Sequence, residues 1–136
     1  MIRESVITLY CSFRSDDSTE WRRTNLFVHK ERYIGKTQTG TSEIKTDSIT
    51  FFAPRAVEAE TGKTYVEPAV YDRLADREGY FTFRKGDIII PYELDEDILS
   101  ERTFISAHPE AVRITGCNEN LFGSPKLQHW EVICSE

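Results

Sequence analysis

Apolar and polar residues alternate with a period of two near both ends of the chain. Between Ser5 and Phe13, Ile7, Leu9, Cys11 and Phe13 fall on one face and Val6, Thr8 and Tyr10 on the other. Alternation of this kind predicts a β-strand, because successive strand side chains point to opposite sides. The polar cluster 14–19 predicts a turn. Trp21 to His29 then resumes as a second strand, with Trp21, Arg23, Asn25, Phe27 and His29 sharing a face. Together the two read as a hairpin. Ser48 to Ala53 is a further strand stopped by Pro54, since proline removes a ladder donor.

Tyr80 to Phe83 and Ile88 to Ile90 read as the strands of a buried hairpin. The turn between them, Arg84-Lys85-Gly86-Asp87, has a glycine free to take positive φ. Ala111 to Cys117 and Leu127 to Cys134 complete the strands, separated by the turn-rich residues 118–125.

Helical spacing is confined to short pieces. Pro68 suits a first helical position, and Val70, Tyr71 and Leu74 share a helical face, so a helix is expected near 68–75 with its cap near Gly79. Asp95-Glu96-Asp97 opens a second stretch running through Leu99 to Phe104, where acidic groups favour a helix start. Glu58 to Lys63 reads as a turn around Thr61-Gly62.

Residues 30–47 have neither period. They are polar, rich in Ser and Thr, and offer only Tyr33, Ile34 and Ile44 as apolar anchors. A flexible loop or a two-stranded arm is expected there. Loops this long in a compact domain usually carry function, so Tyr33, Ile34, Lys36, Ile44 and Lys45 are the candidate partner-contact residues. The expected fold is mostly β: a single domain over 1–136, a small β-barrel or sandwich of about seven strands with one or two short helices.

Charge narrows the functional classes. The chain carries 17 Lys and Arg against 23 Asp and Glu, a net charge of −6, all of it in residues 69–136. Nucleic-acid readers draw most of their affinity from a basic face. Here one is conceivable only in the first half, from Arg22, Arg23, Lys30, Arg32, Lys36 and Lys45. An acidic chain is still suited to a conduit through which DNA slides. No apolar run reaches membrane-spanning length, and the first residues lack the apolar stretch of a leader, so no membrane association is expected.

Candidate chemistry is sparse. Cys11, Cys117 and Cys134 are far apart in apolar segments and read as buried free thiols of a reducing compartment. His29, His108 and His129 are scattered, without metal-ligand spacing. Asp87 reads as a turn-capping residue and the run Glu93, Asp95, Glu96, Asp97 as a solvated helix start, not as the paired carboxylates of a hydrolase. Trp21 and Trp130 read as core. Tyr80, Phe81 and Phe83 could form a base-stacking platform, but the apolar strand that follows argues for burial. No catalytic residue, cofactor or metal is expected.

The order of segments carries a resemblance. Ile7-Thr8-Leu9-Tyr10 is followed by Trp21-Arg22-Arg23-Thr24, then Asp47-Ser48-Ile49-Thr50, then Tyr80-Phe81-Thr82-Phe83-Arg84-Lys85-Gly86-Asp87-Ile88-Ile89, and finally Leu127-Gln128-His129-Trp130-Glu131-Val132. From about Ile7 to Val132 this resembles small uncharacterised proteins of the morphogenesis regions of tailed phages and prophages of Gram-positive bacteria, found among minor capsid and head–tail joining components. Those proteins commonly have a glycine after the Gly-Asp-Ile-Ile strand, where this chain has Pro91-Tyr92. The resemblance implies a structural virion protein made in the bacterial cytoplasm, a head-closure or head–tail connector subunit. Its implied partners are portal, adaptor or tail components and itself in a ring, with DNA at most passing nearby. The alternative class is an OB-like domain binding single-stranded nucleic acid.

Overall fold

A computed structural model describes the backbone of residues 3–39, 42–124 and 127–135, and within these the side chains of 6–29, 48–124 and 127–135. Among the described residues, eight strands and three short helices follow one another: β1 (Arg3–Ser15), β2 (Ser18–Thr39), β3 (Ser42–Pro54), α1 (Val57–Thr61), β4 (Thr64–Tyr65), α2 (Pro68–Arg73), β5 (Tyr80–Phe81), β6 (Ile88–Ile90), α3 (Glu101–Ala107), β7 (Val112–Asn120) and β8 (His129–Ser135). Six strands pair antiparallel in the order β1-β2-β3-β8-β7-β6, and β6 returns to β1 to close the barrel. Closure covers the sheet edges wherever neighbouring strands overlap.

The period-two pattern becomes the barrel interior. Ile7, Leu9, Cys11 and Phe13 of β1 meet Leu26 and Val28 of β2, Ile49, Phe51 and Ala53 of β3, and Trp130, Val132 and Cys134 of β8 in one buried cluster. A second apolar cluster lies on the outside. There Tyr10, Ile88 and Ile90 are covered by Ile98 and by Phe104 of α3. Tyr10 and Phe104 meet edge-on with centroids 5.0 Å apart, a geometry worth about 1 kcal/mol beyond its buried area. This double cover explains three consecutive isoleucines: Ile89 faces the interior while Ile88 and Ile90 face α3. The segment between β6 and α3 is stitched to β1. The Thr8 hydroxyl donates to the Tyr92 carbonyl (2.8 Å) and accepts from the Leu94 N–H (2.9 Å), and the Tyr10 hydroxyl donates to the Glu96 carbonyl (2.5 Å).

Several expectations are corrected. Tyr80 to Phe83 does not form a hairpin with Ile88 to Ile90: β5 pairs in parallel with β4, Thr64 opposite Tyr80, in a separate two-stranded sheet. Phe81 and Phe83 instead plug the barrel, packing around Trp130 and Tyr65, and the Cys11 thiol donates to the Thr82 carbonyl. Local turn chemistry at Gly86, which does take φ +95°, imitates a hairpin without recording the distant partner. Asp87 does not cap its own turn: it is 1 % exposed and its carboxylate accepts from the Ser12 hydroxyl. The helix expected from Asp95 is α3 and starts at Glu101, leaving 95–97 irregular, and α2 ends at Arg73 with Leu74 as its C-cap, not near Gly79. The Glu58–Lys63 turn is the helix α1, closed by Gly62 at φ +71°.

The 30–47 stretch is a paired arm. Beyond the last pairings with β1 (Arg3↔Lys30) and β8 (Ser48↔Ser135), β2 and β3 continue together through six register pairs, Ile34↔Asp47 to Thr39↔Ser42. At strand rise this is about 20 Å of two-stranded ribbon.

Candidate interaction surfaces

Strand β2 is one neighbour short at each end, on opposite sides. Its pairing with β3 begins only at His29↔Phe52, so residues 18–27 have β1 on one side and no strand on the other. The two-residue connection Ser15↔Ser18 fixes which peptide groups face which way. Ser18, Glu20 and Arg22 bond to β1, and Thr19, Trp21 and Arg23 turn their N–H and C=O groups to the open edge. The Arg23 carbonyl confirms this sense, since it accepts from Lys63 Nζ (3.1 Å), which also donates to Thr24 Oγ1 (2.8 Å). Burial pushes the Lys63 ammonium down from its ordinary range. A lysine laid against a strand edge blunts that edge, here at Arg23, and α1 packs against β2 as well.

A groove of about 900 Å³ runs along this edge. Ser18 to Arg23, Lys63, Asp76, Glu78 and Asp97 to Leu99 line it. Arg23 leans toward Asp97 and Asp95 (3.7 and 3.9 Å). Glu20, Asp76 and Glu78 form no ion pair with the described residues. On the rim, Leu99 is 99 % exposed, an expensive position for a leucine in water.

Leucine exposure recurs in the β7–β8 connection, where Leu121, Phe122 and Leu127 are 52 %, 86 % and 66 % exposed. Pro54↔His129 and Asn120↔His129 place this loop at the barrel end where β3 finishes. The β1–β2 turn and the groove lie at that same end, and the arm leaves from the other. Asn120 caps the loop by accepting the Phe122 N–H (3.1 Å), and Gly123 at φ +83° turns it.

The side chains of Tyr33, Ile34, Lys36, Ile44 and Lys45 lie outside the described residues. The backbone of Ile34, Lys36, Ile44 and Lys45 belongs to the arm, with Lys36 opposite Lys45 and Ile44 opposite Thr37, and Tyr33 pairs with Ser48 at its base. Among the described residues, no helix is long and apolar enough to cross a membrane, and no group of three His, Cys, Asp or Glu stands where it would hold a metal ion. The cysteines are free, and burial pushes each thiol up to about 12. Asp87 is pushed up to about 6 by burial, which outweighs its hydrogen bonds from Ser12 and the nearby Arg84. Its Oδ1 accepts from Ser12 Oγ at 2.5 Å and its Oδ2 is buried without a partner. It does not line the groove. The groove was not legible in the sequence, because its residues come from three segments joined only by the fold.

No curated protein and no solved structure matches this chain. Over residues 2–135 it matches a family of unknown function, DUF6751, and the chain belongs to that family.

Proposed function

We propose that the chain is a structural virion protein of a tailed phage or prophage, a head-closure or head–tail connector subunit that works through contacts with other proteins. The observation that carries this reading is the polarity of the barrel: a two-stranded arm at one end, an open strand edge and an apolar loop at the other. Two different surfaces at opposite ends suit heterologous contacts, which close into rings by rotation. A rigid barrel with a projecting ribbon also suits a joint that must order against portal, adaptor or tail components. The segment resemblance described above points the same way. In this reading the chain is made in the bacterial cytoplasm and ends in the virion, with DNA passing nearby.

Mass spectrometry and electron microscopy of purified tailed particles from a host carrying the gene test this. The expected result is a fixed copy number at the neck. Absence of the chain from particles, with its expression verified, contradicts the reading.

The alternative, an OB-like single-strand binder, draws on the small closed barrel. It has less support: Phe81 and Phe83 are buried, and Arg23 sits among Asp95 and Asp97. Salt-dependent binding of a labelled single strand would favour it, and no binding at low salt would remove it.

A further inference from the structure

We propose that α2 is a lid over one end of the barrel, held shut by a proton on Asp87 and loosened when that carboxyl ionises. The proposal does not depend on the connector reading.

The lid is lightly anchored. α2 has six residues and buries one side chain, Tyr71; Leu74, its C-cap, is half-buried beside the same core. The Tyr71 ring meets Phe13 edge-on at 6.5 Å, but its hydroxyl is buried without a hydrogen-bond partner among the described residues. An unmet polar group at the one buried anchor weakens it. The remaining ties are polar. Arg77 donates to the Tyr71 and Asp72 carbonyls (3.0 and 2.8 Å), and Arg84 donates to the Pro68 carbonyl (3.2 Å) and pairs with Asp72. Segments with so few buried apolar contacts open at less cost than the whole chain.

Beneath the lid lies a second unmet group. The Tyr10↔Ile88 pairing continues by one step to set Asp87 beside Cys11, and by strand period Asp87 shares the inward side of Ile89. Asp87, Cys11 and Tyr71 are electrostatic neighbours of one another. Ser12 occupies Asp87 Oδ1, and Oδ2 has no partner. The charges around it are already engaged. Arg84 is bound by Asp72. Arg22 and Arg77 lie over Phe13 (5.4 and 4.2 Å). Arg113 donates to the Gly86 carbonyl and pairs with Glu101. An ionised Asp87 therefore gains most from water, and α2 is the lightly held element over it.

Linkage gives the sign and the size. Burial holds the carboxyl at about 6 when the lid is shut, against 3.8 for a solvated aspartate. The shut form binds the proton more tightly, so rising pH favours opening until both forms are ionised. Between pH 5 and 7.5 the opening constant should rise about tenfold.

Cys11 reports the opening, because it is 1 % exposed beside Tyr71. The full chain and its Asp87→Asn variant are labelled with dipyridyl disulfide at pH 5 and 7.5. Peptide mass spectrometry reads each cysteine, and each rate is normalised to that of the same cysteine in urea. Two results are expected. Cys11 labels several-fold faster than Cys134, which is buried on β8. The parent-to-variant ratio at Cys11, in which thiol ionisation cancels, rises about tenfold between the two pH values. Equal normalised rates at Cys11 and Cys134 would mean that only global unfolding exposes Cys11, and would overturn the lid. A ratio unchanged with pH would overturn the role of Asp87. If Asp87→Asn does not fold, amide exchange of the parent decides. The Tyr71 N–H, bonded to the Glu67 carbonyl (2.9 Å), should be less protected than that of Phe51, which is paired on both sides. Its protection should fall about tenfold from pH 5 to 7.5. Equal protection of the two amides, or no change with pH at Tyr71, would overturn the proposal.

Discussion

Asp87 is the residue where the chain departs furthest from its local signal. Beside Gly86 it looks like a turn residue, yet it is enclosed between β1 and the plug. Burial raises its carboxyl from 3.8 to about 6. Below 3.8 both folded and unfolded chains hold the proton. Between 3.8 and 6 the folded chain holds a proton that the unfolded chain has released. The stability contribution is therefore full below the unfolded value and is lost as pH rises through 6, by about 3 kcal/mol in total. Asp87→Asn should flatten this part of the stability profile. Urea titrations at several pH values between 3.5 and 7 measure it; an equally steep fall in the variant would show that another group is responsible. Trp130 presents the opposite case, with alternation and burial in agreement. It is fully buried and touches Tyr65, Phe81 and Phe83, and its truncation to alanine should cost about 3–5 kcal/mol. A loss under ~1 kcal/mol in the same titration would mean the plug does not lean on it.

Among the elements, β1 and β8 were legible because one face of each lines the interior, so the pattern repeats a real burial. The Ile88–Ile90 strand was legible as buried, but not its neighbours, since pairing with β1 and β7 is set by residues some 25 to 80 positions away. The five-residue α1 has too few turns to show a helical period. The arm reads as a loop for a physical reason: beyond the barrel there is no interior to face, so no strand alternation of apolar residues is selected. The same independence yields a prediction. Replacing residues 34–47 by a two-residue turn should leave the thermal midpoint of the barrel unchanged, because these residues add no pairing to β1 or β8. The variant should fail to enter particles. A large drop in the midpoint on calorimetry would mean that the arm belongs to the folding core. In the β7–β8 loop, Phe122→Ser should change stability by less than about 0.5 kcal/mol, as exposed substitutions do, and should lower incorporation into particles. Normal incorporation would remove that loop from the contact surface.

At the scale of the whole molecule, a closed barrel ordinarily hides its edges. This one leaves β2 unpaired on one side at its start and on the other side at its end. Such an arrangement costs little in a monomer surrounded by water and becomes directional when copies or neighbours line up. The account turns on whether those two stretches become covered in the assembly. Amide hydrogen exchange of the chain, free in solution and within purified particles or a reconstituted ring, measures this directly. The prediction is rapid exchange in the free chain at the Trp21 N–H and along the outer edges of residues 34–47, with strong protection of both in the assembly. Equal exchange at both places in the two states would contradict the account.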